Sequence, residues 1–162
     1  MNFDSLNLHN PIDFVEDIVH SKKWSFSRAE DELVADISSQ WCQYRLYFSW
    51  SERIKAINFT VTFDLKFPFS TLRAIHELLA LINEKLWIGH FDITSKNSIP
   101  AFRHTLLVPQ KNEILYNQLE EIVDIAIYEC EKYYPAFQQI LFEGSQPSDV
   151  LELCLSEPVG TA

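Results

Sequence analysis

The run Leu46-Tyr47-Phe48-Ser49-Trp50, followed by Ile57-Asn58-Phe59-Thr60-Val61-Thr62-Phe63, decides the fold. Every second residue is apolar, so Leu46, Phe48 and Trp50 share one side of a strand, and Ile57, Phe59, Val61 and Phe63 share one side of the next. A period of two with aromatic and β-branched residues marks strands buried on one face. Upstream, Trp24 and Phe26 alternate with serines, and Leu33 to Ile37 forms a second short run. Short polar turns between them predict four antiparallel strands.

The period changes on either side of this block. Asn10-Pro11 opens a first helix: Asn can cap free N–H groups, and Pro at the first helical position loses no hydrogen bond. Phe14, Val15, Ile18 and Val19 give it an apolar stripe. After Phe67-Pro68 stops the sheet, Leu72, Ile75, Leu79, Ile82 and Leu86 predict a helix starting at Ser70. A hairpin follows, with Trp87, Gly89, Phe91 and Ile93 alternating in its first strand, a turn at 95–98, and Phe102 to Val108 returning. A long helix from about Asn112 carries Leu115, Leu119, Ile122, Ala126, Cys130, Tyr133 and Phe137, with Pro135 expected to kink or interrupt it. Gly144 can end that segment in the left-handed conformation, and a last helix covers Asp149 to Leu155. The order α-ββββ-α-ββ-α-α predicts an α+β fold: a twisted antiparallel sheet with helices packed on one face. With 162 residues, a single domain over 1–162 is expected, residues 1–9 forming a flexible N-terminal tail.

Composition narrows the function. The chain is 47% hydrophobic and 14% aromatic, enough for a real core, and its net charge is -10. That charge repels phosphate backbones and anionic lipid, so neither a nucleic acid nor a membrane is the expected partner. Cys42, Cys130 and Cys154 are odd in number and far apart, which suits free thiols in a reducing cytosol rather than a disulfide framework or zinc site. A cytoplasmic protein is expected. Residues 111–162 hold ten acids against Lys111 and Lys132. Among them Glu113, Glu120, Asp124 and Glu131 recur at intervals of seven, four and seven, lining one side of the long helix.

Little in the chain declares a chemistry. Three glycines (Gly89, Gly144, Gly160) leave no phosphate-cradling loop, and neither a nucleophile elbow nor a zinc-protease helix occurs. One polar constellation stands out in the hairpin. His90 and Asp92 share a sheet face, and Arg103 falls opposite His90 and diagonal to Asp92. Two ligands beside a guanidinium are too few for zinc, so the plain reading is a structural polar cluster. The other reading is a small-ligand or metal-dependent enzyme. His104 points the other way, with Phe91 and Phe102, as a core histidine. No cofactor and no metal are expected. Tyr133-Tyr134-Pro135-Ala136-Phe137 is the densest aromatic patch, either core or an exposed groove, and Trp41 is the tryptophan best placed for a surface.

Several strings resemble the YbjN domain family in its alphaproteobacterial form, catalogued as bacterial sensory transduction regulators. They are Asn10-Pro11-Ile12-Asp13, the Trp41-Cys42 approach to an aromatic strand, Leu79-Ala80-Leu81-Ile82-Asn83-Glu84-Lys85-Leu86-Trp87-Ile88-Gly89-His90-Phe91-Asp92, Phe102-Arg103-His104, Glu129-Cys130-Glu131-Lys132-Tyr133-Tyr134-Pro135-Ala136-Phe137-Gln138 and the closing Val159-Gly160-Thr161-Ala162. Thr161 departs from the pattern, which has an acid there. The resemblance covers nearly the whole chain and brings no catalytic residue. It implies a fold like that of class I type III secretion chaperones: small, acidic, usually dimeric, and engaged in protein binding.

The expected function is therefore a non-enzymatic protein-binding module, chaperone-like or regulatory. Its candidate interaction surface is Trp41, Tyr133, Tyr134 and Phe137 with the acidic rim Glu113, Glu120, Asp124 and Glu131. A purely structural homo-oligomer is the third reading. A homodimer is expected, because the long helix has a second apolar stripe (Leu115, Val123, Ile127, Tyr134) and the sheet has edges with few charges to blunt them.

Overall fold

The computed structural model describes residues 10–109 and 115–156. Helix α1 (Ile12–Ser21) precedes strands β1 (Ser25–Arg28), β2 (Glu32–Ser38), β3 (Gln43–Ser51) and β4 (Ala56–Thr62). A single 3-10 turn leads into α2 (Leu72–Asn83), followed by β5 (His90–Ile93), β6 (Pro100–Leu107), α3 (Leu115–Glu143) and α4 (Pro147–Ser156). The six strands form one antiparallel sheet in the order β1-β2-β3-β4-β6-β5. This is the α+β architecture that the alternating periods predict.

Each start follows from local chemistry. The Asn10 side-chain oxygen accepts the Ile12 N–H at 3.0 Å, while its amide nitrogen donates to Glu30 O at 2.9 Å and Asp31 Oδ1 at 3.0 Å. The same residue thus caps α1 and pins it to the β1–β2 turn. Arg28 of β1 pairs with Asp13 at 2.6 Å and with Glu16, and Lys22 reaches Asp124 of α3 at 2.8 Å. These contacts hold α1 between the sheet and α3.

Strand parity divides the sheet. Leu33, Ala35, Tyr44, Leu46, Phe48, Ile57, Phe59, Val61, Phe91 and Phe102 face the helices and are buried. Phe63 is the hub of the aromatic packing, with ring centroids 5.5 Å from Tyr44, 5.8 Å from Tyr134, 5.2 Å from Phe137 and 6.1 Å from Phe91. Burying each such ring is worth about 1.5–3 kcal/mol. The opposite face is polar: Asp36 and Arg45 meet in a two-pronged pair across β2 and β3 (2.7 and 3.2 Å), beside Asn58, Thr60, Thr62 and Thr105.

Three expectations change. The hairpin's first strand begins at His90, not Trp87. Gly89 turns the chain with φ +69°, and a Cβ there would lie 2.2 Å from Cζ of Phe102, so the segment is a close-packed turn and Trp87 points fully into solvent. Pro135 does not interrupt α3, which runs unbroken from Leu115 to Glu143. Its missing N–H removes one helical hydrogen bond, but Tyr133, Tyr134, Ala136 and Phe137 around it are all buried, and that packing offsets the loss. The second apolar stripe of α3 is largely covered from within the chain: Leu115, Val123 and Tyr134 are buried, Ile127 is partly so, and α1 packs on α3. It therefore no longer argues for a partner. Gly144 does end α3 with φ +61°.

Candidate interaction surfaces

The polar hairpin cluster assembles as its spacing predicts. His90 sits opposite Arg103, and Asp92 opposite Ala101. Arg103 Nε lies 3.6 Å from Asp92 Oδ2, an ion pair too long for a hydrogen bond. The other oxygen of Asp92, Oδ1, accepts the Ile93 N–H at 2.7 Å. One residue earlier in β5, the Asn83 side chain at the end of α2 brackets Phe91: its Oδ1 accepts the Phe91 N–H at 2.7 Å and its Nδ2 donates to the Phe91 C=O at 3.0 Å. Phe91 and Ile93 turn these groups away from β6, so two side chains close the outer edge of the sheet. Asp92 thereby has a structural duty, and Asn83, which sequence patterning passes over, has the larger one. The β5 edge, expected to be open, is blunted by one carboxamide and one carboxylate. His104 lies half-buried on the helix side, its pKa lowered by burial and then by His90.

The aromatic patch resolves as core. Tyr133, Tyr134 and Phe137 are buried, which removes them from the surface expected of them, and only Trp41 remains partly in solvent (41% exposed), stacked on Tyr134 at 6.2 Å. Below it, burial pushes the Cys42 thiol up to about 11, with the charge of Asp64 adding to the rise. Burial also raises Cys130 well above the ordinary thiol range. Both are protonated thiols, unlike activated nucleophiles. Among the described residues no group of three or more His, Cys, Asp or Glu is placed to hold a metal ion.

The acidic stripe is less uniform than its spacing suggests. Asp124 is paired with Lys22, Glu120 is half-buried, and Glu131 turns one oxygen inward, enclosed and without a hydrogen-bond partner among the described residues. Glu113 lies outside the described residues.

What patterning missed lies on the helical side. Phe69 (91% exposed) and Phe142 (71% exposed) stand at the surface. Phe69 immediately precedes Ser70, and Phe142 lies two residues before Gly144; Ser70 and Gly144 both line an open cleft of about 430 Å³ between the start of α2, the end of α3 and the start of α4. Arg73 and Glu77 line it as well, and Glu143, Asp149 and Glu152 are exposed close by in sequence. A signal existed: neither phenylalanine belongs to the buried stripe of its helix. Among the described residues no helix is long and apolar enough to cross a membrane.

The comparisons agree with this architecture. The sequence model of the YbjN family, described as "Putative bacterial sensory transduction regulator", matches residues 11–139. No curated protein sequence matches the chain. Among solved structures, the chain is similar to "YbjN, a putative transcription regulator from E. coli", with a TM-score of 0.52 and 14% identity over 73% of this chain and 84% of that one. At that identity the likeness speaks for the fold. The family match spans α1 through most of α3, and the chain belongs to the YbjN family.

Proposed function

We propose that this domain is a non-enzymatic regulatory module that acts by binding a partner protein at the cleft between α2, α3 and α4. The observation that carries the reading is the pair of solvent-facing phenylalanines, Phe69 and Phe142, which stand one and two residues in sequence from Ser70 and Gly144 of the cleft lining. Leaving such rings in water forgoes about 1.5–3 kcal/mol each, which a docked apolar segment recovers. Arg73 and Glu77 balance in the lining, and the exposed Glu143, Asp149 and Glu152 close to it in sequence tip the local charge negative, favouring a segment with basic flanks whose approach speeds at low salt. The family's description as a regulator supports a role through binding rather than turnover.

The test is a comparative capture. Wild-type protein and the Phe69→Ser/Phe142→Ser variant are used to capture crosslinked partners at low and at high salt. A defined protein retained by the wild type, weakened by salt and lost from an equally stable variant is the expected result. Equal recovery by both proteins removes the cleft from consideration, and recovery of nothing under crosslinking removes the binding role.

A further inference from the structure

The two edges of the sheet are not equivalent. The outer edge of β5 is closed by Asn83 and Asp92. At β1 the Ala29 N–H bonds to Glu32 O, so Ser25, Ser27 and Ala29 direct their main-chain groups toward β2, while those of Phe26 and Arg28 face outward. The N–H of Trp24, just before the strand, is taken by Val19 O at 3.0 Å. Among the described residues nothing meets the N–H and C=O groups of Phe26 and Arg28, and such a free edge is a template for another strand.

We propose that this edge pairs antiparallel with β1 of a second copy of the chain, about a two-fold axis at Ser27. In that register the free N–H and C=O of Phe26 meet those of Arg28 in the other copy, and only strand residues are used. The charge along α1 fits the same operation. The helix lies antiparallel to β1: Asp13 and Glu16 touch Arg28, while His20 packs on Phe26 with ring centroids 5.8 Å apart. Its first half stays net acidic, with Asp13, Glu16 and Asp17 against Arg28 alone, while Lys22, which is paired with Asp124, and Lys23 follow its end and leave that side net basic. The two-fold sets the acidic half of one copy beside the basic end of the other, whereas a parallel pairing sets like against like. A four-residue strand and one helix flank bury less than the roughly 1,200–2,000 Å² of a stable interface, so the association is concentration-dependent and weak, in the micromolar range or above. This interface is separate from the cleft and does not depend on it.

Sedimentation of the full chain from about 1 to about 500 μM spans that range. The expected result is a mass rising from one chain to two. Ser27→Lys puts two ammonium groups opposite each other and shifts the midpoint up at least about tenfold. Ser25→Lys, on the same strand and equally exposed, faces Ala29 of the second copy and leaves the midpoint within about twofold. Mixing Ser27→Lys with Ser27→Glu protein restores the two-chain mass. A one-chain mass throughout overturns the proposal, whether residues 1–9 or nothing at all meets the edge. A dimer indifferent to Ser27→Lys lies elsewhere and overturns it, and equal weakening by both lysine variants overturns the register.

Discussion

Replacing Asn83 by Ala tests whether a side chain can close a sheet. The carboxamide makes two hydrogen bonds to the main chain of Phe91, at 2.7 and 3.0 Å, both partly buried. Neutral hydrogen bonds contribute about 1 kcal/mol each, so the gross loss is about 2 kcal/mol. Asn83 is also the last residue of α2, where Ala is the better helix former by about 0.5 kcal/mol, and that gain works against the loss. The net is a destabilisation of about 1.5 kcal/mol, or about 3–6 °C in Tm for a domain of this size. Thermal unfolding by circular dichroism gives the first number, and hydrogen exchange at the Phe91 amide gives the local one, which should quicken about tenfold or more. Asn83→Asp keeps an acceptor for the Phe91 N–H but sets a carboxylate oxygen against the Phe91 C=O and a negative charge at the end of α2, so it is no more stable than Asn83→Ala. Asn58→Ala, an exposed amide on the polar face, is the control and should stay within about 0.5 kcal/mol. Unchanged Tm together with unchanged Phe91 exchange in Asn83→Ala would falsify the edge-closing role.

Gly89→Ala should cost about 2–4 kcal/mol in a chemical-denaturation series, because the φ of +69° strains any Cβ and that Cβ meets the Phe102 ring at 2.2 Å. Phe137→Ala should lose about 3–5 kcal/mol, as it opens a hole beside Phe63 and Phe91; a loss under about 1 kcal/mol would place Phe137 outside the core. Trp87→Ala should leave Tm unchanged within about 1–2 °C, since the ring touches solvent all round. Alkali should destabilise the fold: burial raises Cys42 to about 11 and Tyr133 to about 12, so between the ordinary pKa values of these groups and the raised ones the unfolded chain holds fewer protons than the folded one, and stability falls as pH rises. Melting should be flat from pH 7 to about 8.5 and decline above it, and Cys42→Ser should remove part of the decline at its lower end.

The sheet was legible because parity is a local property. Leu46, Phe48, Phe59 and Val61 must share a face whatever surrounds them, and the placement of His90 opposite Arg103 follows from turn position alone. What covers a face is not local. The spacing of Tyr133, Tyr134 and Phe137 says that they lie on adjacent stripes of α3, but only the convergence of β4, β5 and α3 on Phe63 decides that all three are interior. Pro135 likewise reads as a break because its cost is visible in sequence while the packing that offsets it is not. Asn83 was invisible for a further reason: its function depends on one edge strand lying alongside the end of α2, and polar residues at helix ends are ordinary.

The aromatic surplus therefore carries different meanings at different positions. A composition of 14% aromatic residues suits an interface protein and a densely packed core equally well. The discriminating feature is whether a ring keeps the period of its own element. Phe48, Phe59, Phe91, Phe102 and Phe137 do, and all are buried. Phe69, between Pro68 and the first buried turn of α2, and Phe142, after the last buried residue of α3, do not, and both are exposed. An off-period ring gains little from the fold that holds it, and two of them near one cleft favour that cleft as the docking site over a single exposed ring such as Trp87. The proposed binding surface therefore lies beside α2, α3 and α4 rather than on the polar sheet face, where Tyr47 sits within a network of Arg45, Asp36 and threonine hydroxyls that is already largely satisfied from within the domain.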